Sequence, residues 1–134
     1  DISVQAQILN LLAELQRARN LTYILISHNV SVVRHMADRV AVMYLGQIVE
    51  LGQAAQVLDQ PRHPYTRLLL EAVPRLGVAL HAEQVAAPTE LPGNRHLPTG
   101  CFFRDRCSLC TVGCDKPQVL QGDERQRARC HLQG

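Results

Sequence analysis

One lysine serves the whole chain of 134 residues, Lys116 within Asp-Lys-Pro, and tryptophan is absent. A phosphate-cradling P-loop needs a lysine that follows a glycine-rich turn and reaches the terminal phosphates, so that motif is not here. Aromatic residues make up 4% of the chain and the net charge is only +2, which gives no case for a dedicated nucleic-acid surface. No apolar run approaches the roughly 20 residues that span a bilayer, and no signal-peptide pattern opens the chain. What is present, 46% hydrophobic and 19% charged residues, suits an intracellular globular protein with one modest core or a share in a larger one.

The richest stretch runs from Leu21 to Gly52, LTYILISHNVSVVRHMADRVAVMYLGQIVELG. Tyr23-Ile24-Leu25-Ile26 is continuously apolar and reads as a strand buried on both faces, as in parallel α/β sheets, whose ligands gather at the carboxyl ends of strands. Ser27 and His28 stand at that end, where an imidazole is poised to touch a phosphate. The plainer role for an isolated Ser-His pair is a capped structural histidine. Val32, Val33 and Met36 fall at helical spacing over residues 29–37. An apolar run over 40–45 then meets Gly46-Gln47, which separates two short strands as a hairpin does.

Ahead of this stretch, residues 3–20 carry Val4, Ile8, Leu11, Leu12 and Leu15 on one stripe, with Ser3 as N-cap and Asn20 as stop. Behind it, a short helix over 54–59 ends at Gln60-Pro61. His63-Pro64-Tyr65-Thr66 opens another that carries Leu68, Leu69, Leu70 and Val73 as far as Pro74. From Arg75 to Gly100 the pattern dissolves into Pro-, Gly- and Ala-rich chain, which predicts a boundary near Gly77.

All five cysteines, Cys101, Cys107, Cys110, Cys114 and Cys130, fall in the last quarter of the chain. In a reducing compartment such clustering points to metal or cluster ligation rather than to structural disulfides. The spacings Cys107-x-x-Cys110 and Cys110-x-x-x-Cys114 also suit zinc, although zinc ribbons usually pair two such knuckles across a longer gap. Neutralising the thiolates would help to fold a tail with little core of its own.

The segment SHNVSVVRHMADRVAVMYLGQIVE resembles the end of an ATP-binding cassette (ABC) nucleotide-binding domain. Asp1-Ile2-Ser3-Val4-Gln5-Ala6-Gln7-Ile8 resembles the family's D-loop running into its next helix. Pro61-Arg62-His63-Pro64-Tyr65-Thr66 is similar to the motif that follows the cassette in the oligopeptide, dipeptide and nickel importers. The resemblance implies an α/β fold: residues 1–76 as the C-terminal part of the nucleotide-binding domain, and residues 77–134 as a small, cysteine-rich, irregular extension. It implies that His28 is the switch histidine that reads the γ-phosphate, and that Asp1 acts across a dimer of ATP-binding subunits. No signature motif of the LSGGQ type is present, and the acidic pair that holds magnesium would lie upstream of Asp1, so ATP and Mg are cofactors of an intact parent rather than of this piece.

The further implied partners are transmembrane permease subunits, the implied location the cytoplasmic face of the bacterial inner membrane, and the implied cargo a peptide or nickel. The tail resembles the family's C-terminal extension, in which some members hold a four-iron, four-sulfur cluster. On that pattern Cys101, Cys107, Cys114 and Cys130 are the ligands and Cys110 is an extra, with zinc as the alternative metal. Arg104, Arg106, Arg125, Arg127 and Arg129 would suit the net negative charge of such a cluster. The competing reading is a non-catalytic metal- or cluster-binding module.

Overall fold

The computed structural model describes residues 2–73 and 96–133, which fall into two compact units, 1–38 and 39–134. The first unit holds two helices, α1 (Ile2–Arg19) and α2 (Val30–Met36). The helical periodicity of its sequence produces α1 as expected, although the helix already runs at Ile2, so Ser3 lies inside it and is not the N-cap. Asn20 does stop α1: its φ of 54° is the left-handed geometry that short polar side chains tolerate after a helix. The Tyr23 hydroxyl then donates to the Leu12 carbonyl at 3.1 Å and ties the following segment back to α1.

The apolar run after α1 overturns an expectation. Residues 21–27 form no strand, and Ile24 and Ile26 are each 94% exposed. A central strand of a parallel sheet is held by ladders on both sides, and no strand among the described residues pairs with this one. Its hydrophobicity records a burial for which these residues supply no cover. The same is true of the α1 stripe, where Val4, Ile8 and Leu11 are more than half exposed.

The second unit is built on a hairpin. Strand β1 (Arg39–Tyr44) pairs antiparallel with β2 (Gln47–Gln53), with an irregularity in register between Val42 and Met43. The turn falls one residue earlier than expected, at Leu45-Gly46, both with positive φ (48° and 77°), the paired left-handed geometry that matches strand twist in two-residue hairpins. Gly46 adopts it without strain. Two helices follow as read from the sequence, α3 (Ala54–Asp59) and α4 (Pro64–Glu71), with Pro64 in the first turn of α4, where its missing N–H costs nothing. The α3 side chains Val57 and Leu58 are buried, and α3 packs on β1 and β2.

The tail is more ordered than expected. It forms β3 (Gln121–Gly122) and β4 (Gln126–Ala128), and β4 pairs antiparallel with β2, giving one sheet in the order β1-β2-β4-β3. Residues on both sides of the segment 74–95 thus share a single sheet, and Phe103, Cys114, Ala128 and Cys130 join Tyr44 and Val49 among the buried residues. The expected boundary near Gly77 lies outside the described residues. The fold is mixed helix and sheet, and among the described residues no strand pair is parallel.

Candidate functional site

In the first unit His28 stands exposed immediately before the N-cap of α2. The cap is Asn29, whose side-chain Oδ1 accepts from the N–H groups of Ser31 at 3.0 Å and Val32 at 3.4 Å, and the Ser27 hydroxyl accepts from Asn29 N–H at 3.0 Å. Ser27 and Asn29 therefore fix the backbone on either side of His28 and leave its imidazole free to meet a ligand from solvent. His35, further along α2, is exposed, in keeping with a solvated helix position. Asp1 lies outside the described residues.

The second unit has a polar core that sequence reasoning missed. Glu50 on β2 is fully buried, and its carboxylate accepts from Arg62 N–H (2.9 Å), His63 N–H (2.9 Å) and the Gln126 amide (2.7 Å). Gln126 on β4, 2% exposed, also donates to the Gln60 carbonyl at 2.7 Å. His63, 1% exposed, accepts from Tyr65 N–H at Nδ1 (3.0 Å), which caps α4, while its ring faces the Arg129 carbonyl. Burial holds the His63 pKa down at about 4; the Glu50 charge and the Arg129 carbonyl pull it up, and Arg67 lowers it further. The His63-Pro64-Tyr65-Thr66 motif is thus the junction between β2, α4 and β4.

Three of the five Phe and Tyr side chains meet at the same junction. Tyr44 and Tyr65 lie 4.6 Å apart between ring centroids, and Phe103 meets Tyr44 edge-on at 5.4 Å and Tyr65 at 5.4 Å. Arg106 lies over both Tyr44 and Phe103. Cys101 and Cys107 pack against this cluster. Gly100 permits the approach: its φ is 79°, and a Cβ there would stand 2.4 Å from the Cys114 carbonyl oxygen. Directly after it, Cys101 N–H donates to that carbonyl at 2.9 Å, which joins the first cysteine to the fourth.

The five thiols are free. Cys114 and Cys130 are buried, Cys101 and Cys107 half-buried, Cys110 exposed. Burial pushes the Cys101, Cys107 and Cys130 thiols up, and the neighbouring thiols raise them further: Cys114 and Cys130 act on Cys101, those two and Cys101 act on Cys107, and Cys114 acts on Cys130. The four cysteines that the family resemblance implies as ligands are therefore within electrostatic reach of one another. Cys110 is raised by desolvation and then by its side-chain contact with Cys114.

The geometry gives the metal expectation no support. Among the described residues no three His, Cys, Asp or Glu side chains are grouped so that they could hold a metal ion. Four thiolates bound to one zinc at about 2.3 Å would bring their sulfurs to about 3.8 Å from one another, and these thiols are not gathered so tightly. The arginines also act differently from expectation. Arg129 bonds the Ile48 and Gln118 carbonyls, Arg127 the Asp123 carbonyl, Arg104 the Thr99 carbonyl and Arg106 the Tyr44 hydroxyl, so these guanidiniums fasten the tail to itself and to the hairpin.

Residues 49–114 match the family described as the oligopeptide/dipeptide transporter, C-terminal region. The chain is 62% identical over 131 residues to the probable D,D-dipeptide transport ATP-binding protein DdpF of Escherichia coli K12, a match that covers 97% of this chain and 42% of that protein. It is 47% identical over 132 residues to the dipeptide transport ATP-binding protein DppF of Haemophilus influenzae, covering 97% of this chain and 40% of the relative. It is 43% identical over 136 residues to the oligopeptide transport ATP-binding protein AppF of Bacillus subtilis, covering 98% and 41%. The chain spans about two fifths of the length of these curated relatives. It belongs to the oligopeptide/dipeptide family of ABC transport ATP-binding proteins.

Proposed function

We propose that these residues are part of an ATP-binding subunit that couples ATP hydrolysis to the import of a peptide, and that His28 is its γ-phosphate sensor. The observation that carries this reading is the exposed imidazole directly before a capped helix, in a chain that matches peptide-transport ATP-binding proteins over nearly its whole length. Residues 1–76 then belong to the nucleotide-binding domain and residues 77–134 to an extension folded back onto it. The uncovered apolar positions Val4, Ile8, Leu11, Ile24 and Ile26 support membership in a larger core.

In the intact protein ATP and Mg would occupy a site to which His28 contributes a hydrogen bond at the γ-phosphate, the preorganised contact that stabilises charge in phosphoryl transfer. Asp1 would act across a dimer of ATP-binding subunits, beneath transmembrane permease subunits at the cytoplasmic face of the inner membrane. No described helix is long and apolar enough to cross a membrane, so that association is peripheral in this reading. With Lys116 as the sole lysine, these 134 residues by themselves are not expected to hydrolyse ATP.

The test is His28→Ala in the intact subunit. ATP hydrolysis should fall about 100-fold, the cost of removing one preorganised donor, while ATP affinity measured by equilibrium binding changes little. Unchanged hydrolysis would leave His28 as a structural residue.

For the tail we infer a ligand set of Cys101, Cys107, Cys114 and Cys130 for a four-iron, four-sulfur cluster. What supports this reading is the resemblance of the tail to the family's extension and the mutual electrostatic influence of these thiols. Such a cluster supplies either a structural staple or one-electron redox chemistry. Anaerobic purification followed by iron, sulfide and zinc analysis tests it: iron and sulfide should both be present and be lost on replacing any one of the four. Zinc in their place, or no metal, would overturn the assignment.

A further inference from the structure

Cys110 is the cysteine that the ligand set leaves over, and its surroundings give it a different use. It is exposed and lines an open groove together with Arg104, Asp105, Thr111, Cys114 and Asp115. The chain turns tightly between the two cysteines. Thr111 and Cys114 cap each other: the Thr111 side chain accepts from Cys114 N–H, and the Cys114 sulfur accepts from Thr111 N–H at 3.4 Å. That second contact folds the Cys114 sulfur back to the residue next to Cys110, and both cysteines line the same groove. The loop carrying them is pinned from outside, because His131 Nε2 stands 3.1 Å from the Thr111 hydroxyl and its Nδ1 stands 3.3 Å from Gln118 Oε1. Two thiols are therefore held together at a surface groove, one open to solvent and one behind it.

We propose that Cys110 and Cys114 are a redox pair that closes to a disulfide by exchange with a low-molecular-weight disulfide. The exposed Cys110 thiolate attacks one sulfur of the incoming disulfide, forming a mixed disulfide and releasing one small thiol. The Cys114 thiolate then attacks the Cys110 sulfur and expels the second. The protein pair loses two electrons and two protons, and the small disulfide is reduced to two thiols. Arg104 at the groove is paired with Asp105 at 3.5 Å, and the exchange partner is a small disulfide such as glutathione disulfide. Burial of Cys114 makes it the resolving thiol, because a small disulfide in solution meets Cys110 first. Closure withdraws Cys114 from the other three cysteines and reverses its cap on Thr111, so the state of the pair is transmitted to the whole cysteine tail. The exchange concerns the protein without a cluster, because a bound cluster would occupy Cys114.

The experiment uses the intact protein freed of metal by chelation and equilibrated with glutathione and glutathione disulfide, with read-outs of intact mass and free thiols. The unmodified protein should lose two hydrogens and two free thiols without gaining glutathione. Cys114→Ala should instead retain one glutathione on Cys110, and Cys110→Ala should do neither. Cys101→Ala, Cys107→Ala and Cys130→Ala should still close the pair. Circular dichroism of each variant separates misfolding from loss of the pair, and Cys110→Ser, at an exposed position, supplies a variant with the core intact. Stable glutathione on the unmodified protein, or a disulfide that persists in Cys110→Ala, would overturn the proposal. Iron and sulfide content is measured separately, so a failed cluster and a failed redox pair give different results.

Discussion

Glu50→Ala should lower the stability of the second unit by about 4 kcal/mol, because it strands buried hydrogen-bond donors and leaves a cavity. The carboxylate is the acceptor for the Arg62 and His63 amides and for the Gln126 side chain, the last two bonds buried and the first partly so. An unpaired buried N–H costs roughly 1–3 kcal/mol, and two backbone amides lose their acceptor at once. Gln126 keeps the Gln60 carbonyl and is partly spared. Glu50→Gln retains one acceptor oxygen and should cost about half as much. Urea unfolding measures the stability, and hydrogen exchange at the Arg62 and His63 amides locates the loss. If Glu50→Ala stays within about 1 kcal/mol of the parent protein with those amides still protected, the carboxylate is not what joins β2 to α4 and β4.

That junction explains the His63-Pro64-Tyr65-Thr66 motif in physical terms. As sequence it looks like a proline-capped connector, and its helix start is indeed where Pro64 puts it. Its larger task is to turn the chain so that His63 and Tyr65 face the tail: Tyr65 meets Phe103, and the His63 ring faces the Arg129 carbonyl, one residue before Cys130. The motif and the cysteine segment are therefore parts of one packed structure, although they stand far apart in sequence.

Local chemistry in the sequence was readable because its signals act over a few residues. The apolar spacing of α1 and α2, the Asn20 stop, the strands flanking Gly46 and the proline start of α4 all depend on neighbours within one or two turns. The partner of β2 was not readable in this way. Gln126 reaches Glu50 across 76 positions, and nothing in Gly-Gln-Ile-Val-Glu or in Arg-Gln-Arg-Ala marks the two as opposite. A glutamate inside an otherwise apolar strand was the one available signal, since a buried carboxylate needs donors. The Tyr23-Ile24-Leu25-Ile26 run shows the converse limit: apolar composition states that a segment is to be covered, and the cover comes from ladders that no described strand supplies. For the cysteines, clustering along the chain marked all five and the family resemblance separated four of them, while the proximity of Cys110 to Cys114 depends on a turn that spacing alone does not reveal.

The buried His63 also makes the same junction sensitive to acid. Its folded pKa is about 4, below the ordinary value of 6.5, chiefly because burial disfavours the charged ring. Above about pH 6.5 the residue is neutral in both the folded and unfolded chains and costs nothing. As the pH falls from there towards 4 the unfolded chain takes up a proton that the folded one refuses, so stability is lost at about 1.4 kcal/mol per pH unit, to a ceiling of about 3 kcal/mol. Below pH 4 the loss from this residue levels off. The charged groups around the ring act in both senses, since Glu50 favours the proton and Arg67 opposes it, but neither outweighs burial. His63→Asn isolates the effect: asparagine can still accept from Tyr65 N–H as an N-cap, and it does not titrate. Urea unfolding between pH 4 and 8 should show the parent protein losing about 3 kcal/mol more than His63→Asn over that interval. Equal slopes would mean that the folded protein admits a proton at His63 near the ordinary pH. A difference would mean that burial keeps the ring neutral in the folded protein, so that acid acts on this junction through the proton that only the unfolded chain takes up.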